Sequence, residues 1–200
     1  MSGAQPVAAT GLGVRLGQNG SMKILALCGS LRAASINAAL LRTAARVAPP
    51  GMEVAWCVAV GELPLFNPDL EAQPPPAALR LQADVAWADA LLIASPEYAH
   101  GVTGVIKNAL DWLVSQEAFV NKPVAVFNAS PRAHHADDAL RETLRTMSAR
   151  IVEPACLSLP LLGAHLAENE MATHPLVAPA LIEALQALQR AVEPEQAWLL

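Results

Sequence analysis

From Met22 onward, short apolar runs alternate with stretches in which apolar residues recur at helical spacing. Lys23 to Cys28 is an apolar run closed by Gly29, the pattern of a strand buried on both faces. Ile36, Leu40, Leu41 and Val47 then mark one face of a helix that Pro49-Pro50-Gly51 ends. Glu53 to Val60 reads as a second strand. The loop that follows carries Pro64, Asn67-Pro68 and the triple proline Pro74-Pro75-Pro76, which suits neither element. Leu79 to Ala88 predicts a helix, and Ala90 to Ala94 a third strand stopped by Ser95-Pro96. Ile106, Leu110 and Leu113 stripe the next helix.

Lys122 to Ala129 predicts a fourth strand, ended by Ser130-Pro131. Leu140, Leu144 and Met147 mark a further helix, with Asp137 or Asp138 placed to cap it. Ile151 to Leu159 is a weaker fifth strand, interrupted by Pro154 and bounded by Pro160, and Leu181, Leu185, Leu188 and Val192 stripe a final helix. Strands alternating with helices of about ten or more residues imply right-handed βαβ units and a parallel sheet covered on both faces. The expectation is one three-layer α/β domain over residues 22–200. Residues 1–21 hold scattered glycines, one charge and no sustained period, and lack the basic and apolar regions of a secretory signal. They are expected to be a disordered extension, with Met22 a candidate start.

Of the 200 residues, 54% are apolar and 16% charged, a balance that excludes a disordered chain. No stretch approaches the roughly 18 consecutive apolar residues of a membrane-crossing helix, so a soluble protein is expected. The net charge of −5 comes from 13 basic and 18 acidic residues with no basic run. That argues against a nucleic-acid or membrane partner. Cys28, Cys57 and Cys156 lie far apart and form no CxxC, and no histidine stands at zinc-ligand spacing. Free buried thiols of a reducing cytoplasm, and no metal site, are expected.

In an open parallel sheet, ligands bind beyond the carboxyl ends of the strands, where the strand order reverses. Three loops therefore carry the candidate chemistry. The first, Gly29 to Asn37, offers the hydroxyls of Ser30 and Ser35, the guanidinium of Arg32 and the amide of Asn37 at the mouth of a helix. Free N–H groups and the helix dipole there suit a phosphate, although Ser35 alone would serve equally as an N-cap. The P-loop pattern and its lysine are absent, which argues against ATP or GTP. The second loop begins Ser95-Pro-Glu-Tyr-Ala-His-Gly101, and the third reads Ser130-Pro-Arg-Ala-His-His-Ala136.

Gly29-Ser-Leu-Arg-x-x-Ser-x-Asn37, Ser95-Pro-Glu-Tyr98 and Gly104-x-x-Lys107-Asn-x-x-Asp111-Trp112, in this order over residues 22 to 160, resemble the NAD(P)H-dependent FMN reductase family. The resemblance implies a flavodoxin-like fold with a five-stranded parallel sheet of order 2-1-3-4-5. It implies that Ser30, Arg32, Ser35 and Asn37, with backbone amides around Leu31, hold the FMN phosphate. Pro96, Glu97 and Tyr98 would line the ribityl chain and one flavin edge, with Ala99, His100, Gly101 and Ser130 completing the cofactor set. Tyr98 and Glu97 retain the simpler readings of a packed loop tyrosine and a solvated carboxylate. Ala99 stands where many relatives carry Asn, and the third loop lacks a frequent Gly-Gly pair. Arg132 is a candidate for a pyridine-nucleotide phosphate. His100, His134 and His135 are candidates for quinone binding or for simple solvation. Lys107, Asn108, Asp111 and Trp112 are expected to cap and pack their helix, and Trp56, Trp87 and Trp198 to serve core or interface.

The implied activity is a ping-pong transfer of hydride from NAD(P)H through FMN to a quinone or other small acceptor, by a homodimer or homotetramer. No protein group is expected to act as nucleophile or general base, because the cofactor carries the chemistry. Two rivals remain at this level: a flavodoxin-type electron carrier, and a flavin-free interaction module.

Overall fold

In the computed structural model, which describes residues 21–164 and 166–193, the first strand, β1, runs Met22–Cys28 and is an interior strand of the sheet. It pairs in parallel with β2, Met52–Trp56, on one side and with β3, Ala90–Ala94, on the other. Beyond β3 lies β6, Pro123–Asn128, and the outermost position is shared by two short strands, β7 (Arg150–Ile151) and β8 (Leu157–Ser158). The order β2-β1-β3-β6-β7 is the expected 2-1-3-4-5 arrangement. The fifth strand is split because Pro154 sits in a 3₁₀ turn, Glu153–Ala155, between its two halves. A small antiparallel hairpin, β4 (Glu97–Tyr98) with β5 (Gly101–Val102), is a separate sheet.

Alternation along each strand builds two cores. Ile24, Ala26 and Cys28 of β1, Leu92 of β3 and Phe127 of β6 face one side, where they meet α1 (Ile36–Val47) and α6 (Val177–Val192). Leu25 and Leu27, Leu91 and Ile93, and Val124 and Val126 face the other, against α2 (Pro76–Trp87), α3 (Gly104–Asp111) and α4 (His134–Thr146). A short α5, Glu168–Met171, packs on α1. The winding direction reverses after β2, and with right-handed crossovers that reversal places α2 on the face opposite α1.

Several boundaries differ from the expectations. The second strand ends at Trp56, and Ala59–Gly61 forms a 3₁₀ turn instead of continuing it. Helix α2 starts inside the triple proline, with Pro75 as N-cap and Pro76 as first residue, where the missing N–H has no helical partner to lose. Helix α4 starts at His134, so neither Asp137 nor Asp138 caps it. Asp137 instead lies in its first turn and pairs with Arg141 at 2.6 Å. Burial works against the Arg141 charge, but its hydrogen bond to Asp137 and the nearby acidic groups outweigh that and raise its pKa. Trp56 and Trp87 are 39% and 36% exposed, so neither is a core residue; Trp112, at 1%, is. Trp198 and residues 1–20 lie outside the described residues, as do the expectations attached to them. No described helix is long and apolar enough to cross a membrane.

Candidate functional site

The reversal of strand order opens a crevice beyond the carboxyl ends of β1 and β3, and the backbone there is held at close quarters. Gly29 N donates to the Ala94 carbonyl at 2.8 Å. A Cβ on Gly29 would stand 2.2 Å from Ser95 Oγ, so only glycine fits where the two strands leave the sheet. Thr103, the N-cap of α3, is buried and donates from Oγ1 to the Gly29 carbonyl at 2.8 Å. Its hydroxyl also lies 3.3 Å from Ser95 Oγ. These bonds fix the first and second loops to one another.

The first loop leads into α1 as a capped turn. Ser35 N donates to the Arg32 carbonyl at 3.1 Å, and Ser35 Oγ accepts from Ala38 N at 3.2 Å, so the N-cap role is real. Ser30 Oγ accepts from Arg32 N at 3.4 Å. The Arg32 guanidinium is exposed and has no ion-pair partner among the described residues. Asn37 is only 4% exposed, yet its Oδ1 has no hydrogen-bond partner. An orphaned buried polar group costs about 1–3 kcal/mol. A chain bears that cost where a ligand supplies the missing partner. Cys28, behind this turn, donates from Sγ to the Ser30 carbonyl at 3.4 Å, and burial raises its thiol pKa.

The second loop is the β4–β5 hairpin, which no sequence signal announced. Its two central residues, Ala99 and His100, have φ of 50° and 58°, the left-handed pair of a type I′ turn. Asparagine and glycine suit that geometry; alanine and histidine do so at a cost. Glu97 points at the third loop, where its Oε2 accepts from Ala136 N at 2.9 Å in the first turn of α4. The carboxylate therefore supplies the cap that the helix's own sequence lacks, and it is not a freely solvated group. His100 stacks on His135 with ring centroids 4.4 Å apart, and His135 lies against His134 at 4.0 Å.

The third loop is held from inside by Asn128 at the end of β6. Its Oδ1 accepts from Ser130 N at 2.8 Å, and its Nδ2 donates to the Ala133 carbonyl at 3.2 Å. Together the three loops enclose a cavity of about 310 Å³. Ser30, Arg32, Ser35, Asn37, Pro96, Glu97, Tyr98 and Ser130 all line it. Leu31, Ala99, His100 and Gly101 are outside its wall. The Leu31 side chain is exposed and turned onto Gly61, and the other three form the turn and first strand residue of the hairpin. Asn128 and Leu162 line the cavity but carry no motif; only the end of a fourth parallel strand pointed to Asn128.

The Lys107 and Asp111 pair closes on itself along α3, while Asn108 and Trp112 work further away. Asn108 Oδ1 accepts from Phe66 N at 2.8 Å, and the Trp112 indole donates to the Pro64 carbonyl at 2.9 Å. They pin the loop before α2, a packing role consistent with expectation. Among the described residues, no group of three or more His, Cys, Asp or Glu is arranged to hold a metal ion.

A doubly wound sheet whose switch-point crevice carries an arginine without an ionic partner among the described residues and a capped helix mouth defines an α/β protein suited to a phosphorylated ligand. Comparison with known proteins specifies which kind. The family model described as NADPH-dependent FMN reductase matches residues 22–161, and the chain belongs to that family. It is 42% identical over 112 residues to an NAD(P)H-dependent FMN reductase of Pseudomonas aeruginosa, a match covering 54% of this chain and 60% of that protein. It is 33% identical over 144 residues to a quinone reductase of Pseudomonas putida, covering 68% of this chain and 74% of that one. The match thus spans less than two thirds of the length of the Pseudomonas aeruginosa relative. Among solved structures it resembles the flavoenzyme NAD(P)H:(acceptor) oxidoreductase from Paracoccus denitrificans at 27% identity and a TM-score of 0.71, over 86% of this chain and 97% of that chain. The fold is flavodoxin-like.

Proposed function

We propose that this protein is an FMN-dependent NAD(P)H oxidoreductase acting on a quinone or another small acceptor. The observation that carries the reading is the exposed Arg32 guanidinium, without an ion-pair partner among the described residues, beside Ser35 at the mouth of α1, in a chain of this family. Ser30, Arg32 and Ser35 would hold the FMN phosphate, joined by Asn37 through its Nδ2 donor, while Asn37 Oδ1 is left to accept from a hydroxyl of the ligand. A guanidinium forms charge-assisted bonds to phosphate, and the helix mouth adds backbone donors. Pro96, Glu97, Tyr98 and Ser130 would border the rest of the cofactor, with the backbone of Leu31, Ala99, His100 and Gly101 at its periphery.

FMN, when bound, supplies a two-electron relay between NAD(P)H and the acceptor, which take turns at the same place. The protein's own work is orientation and exclusion of water. Tyr98, 57% exposed, offers its ring beside the cavity, and the exposed Arg132 is available to a nucleotide phosphate. The solvent-open hairpin and its exposed tyrosine support a dimer or larger homo-oligomer that completes the site. Free Cys28, Cys57 and Cys156 support a reducing, cytoplasmic setting. The orphaned amide disfavours a flavin-free interaction module, which would bear its cost without return.

Flavin titration of the apoprotein, followed by NADH, NADPH and an acceptor screen, tests the reading. A yellow complex that one equivalent of pyridine nucleotide bleaches, and that turns the nucleotide over only when a quinone or similar acceptor is present, is expected. A yellow complex indifferent to pyridine nucleotides would mark an electron carrier, and failure to take up FMN would overturn the proposal.

A further inference from the structure

Beside the first cavity lies a second, of about 500 Å³, on the far side of the turn after β1. The two share a wall made by Arg32, Ala34, Ser35, Ile36 and Leu162. That wall is the turn which, on the reading above, grips a phosphate. A ligand whose phosphate sits there can therefore continue into the second cavity without leaving the protein surface. Both volumes fall in the range of about 300–1,000 Å³ usual for small-molecule sites.

The chemistry of the second cavity is divided in a way that suits one class of ligand. Arg32 and Arg42 both line it and supply two guanidiniums. Arg42 pairs with Glu168 at 2.6 Å through Nε, an exposed ion pair that leaves its other N–H donors free to meet a second anion. Glu168 itself offers a carboxylate, the group that accepts ribose hydroxyls in other nucleotide sites. Ala39, Leu161, Leu166 and Ala167 add apolar surface to its lining. Paired cations, a carboxylate and an apolar surface next to a phosphate turn match a pyrophosphate, a ribose and a purine.

We infer that the second cavity is a subsite for the adenylate half of a flavin dinucleotide, so that the protein accepts FAD as well as FMN, with the outer phosphate between Arg32 and Arg42. This rests on placing the flavin's inner phosphate in the Ser30–Asn37 turn. The extra bonds to Arg42 and the apolar face offset the cost of ordering the larger ligand.

Binding of FMN and of FAD to the full chain, measured by calorimetry on apoprotein, tests the inference. The variants are Ala167→Trp and Arg42→Ala. Ala167 is exposed and lines only the second cavity, so a tryptophan there fills that space without entering the core. FAD is expected to bind within about tenfold of FMN, and each variant to weaken FAD by about tenfold while leaving FMN within about twofold. FAD that fails to bind where FMN binds, or that binds equally well to the Ala167→Trp protein, overturns the subsite. Failure of both flavins overturns the FMN reading on which it depends.

Discussion

Across the crevice, the turn after β1 and the turn after β6 face each other with opposite hydrogen-bonding states. In the first, Ser30 and Ser35 each accept a single backbone bond, Arg32 is without an ionic partner among the described residues, and Asn37 is buried with an empty acceptor. In the second, the buried polar groups are committed and only the exposed Arg132 is left without an ionic partner among the described residues: Asn128 holds Ser130 and Ala133, Glu97 reaches across to cap α4, and His100, His135 and His134 stack. Buried polar groups are normally satisfied within the protein. An unsatisfied set therefore points outward to a ligand, whereas a satisfied one holds a wall in place. The contrast assigns binding to the first turn and support to the second, although both line the same cavity.

Arg32→Ala is the most severe test of that division. It should weaken FMN by about 1.5–3 kcal/mol, roughly ten- to 150-fold, with no loss of thermal stability. An unchanged dissociation constant would refute a phosphate role. Asn37→Leu should separate stability from binding: the apoprotein gains about 1 kcal/mol in denaturant unfolding, because the orphan is removed, while FMN affinity falls several-fold. Loss of both together would place Asn37 in the framework.

Glu97→Ala probes the supporting wall. Removing a cap costs about 0.5–2 kcal/mol, so stability should drop by about 1 kcal/mol. FMN affinity should change less than in Arg32→Ala; the reverse ranking would abolish the contrast between the turns. Ala99→Asn should raise stability by up to about 1 kcal/mol, since asparagine tolerates the left-handed φ of 50° better than alanine. An unaltered melting temperature would show that the hairpin turn stores no strain.

The smallest effect concerns pH. Burial raises the Cys28 thiol above its ordinary 9.0, so the folded state keeps that proton where the unfolded chain would lose it. The resulting stability is complete below pH 9 and is lost as pH rises through the folded-state value. Cys28→Ala should flatten the alkaline limb of the stability curve, and an identical limb in both proteins would show the thiol uninvolved.

Local signals along the chain determined a good deal. Uninterrupted apolar runs fixed β1, β3 and β6, because a strand buried on both faces has no polar alternation to disguise it. Helical spacing and Gly29-Ser-Leu-Arg fixed the first turn, since Ser35 caps a helix through residues three positions away. Helix α2 was misjudged at its start because Pro75 and Pro76 are as acceptable in a first turn as in a loop. Tertiary structure alone decided the rest. Ala99 and His100 carry no hairpin signal; pairing of Glu97–Tyr98 with Gly101–Val102 and docking on α4 impose the turn. Glu97 became a helix cap rather than a solvated carboxylate because the N–H of Ala136, 39 residues away, was brought to 2.9 Å. Likewise, only folding shows that Asn37 is orphaned and Asn128 is not. Residue type and spacing state which bonds a side chain is able to make; which of them remain unmade depends on groups that are distant in sequence, and the folded crevice alone brings those together.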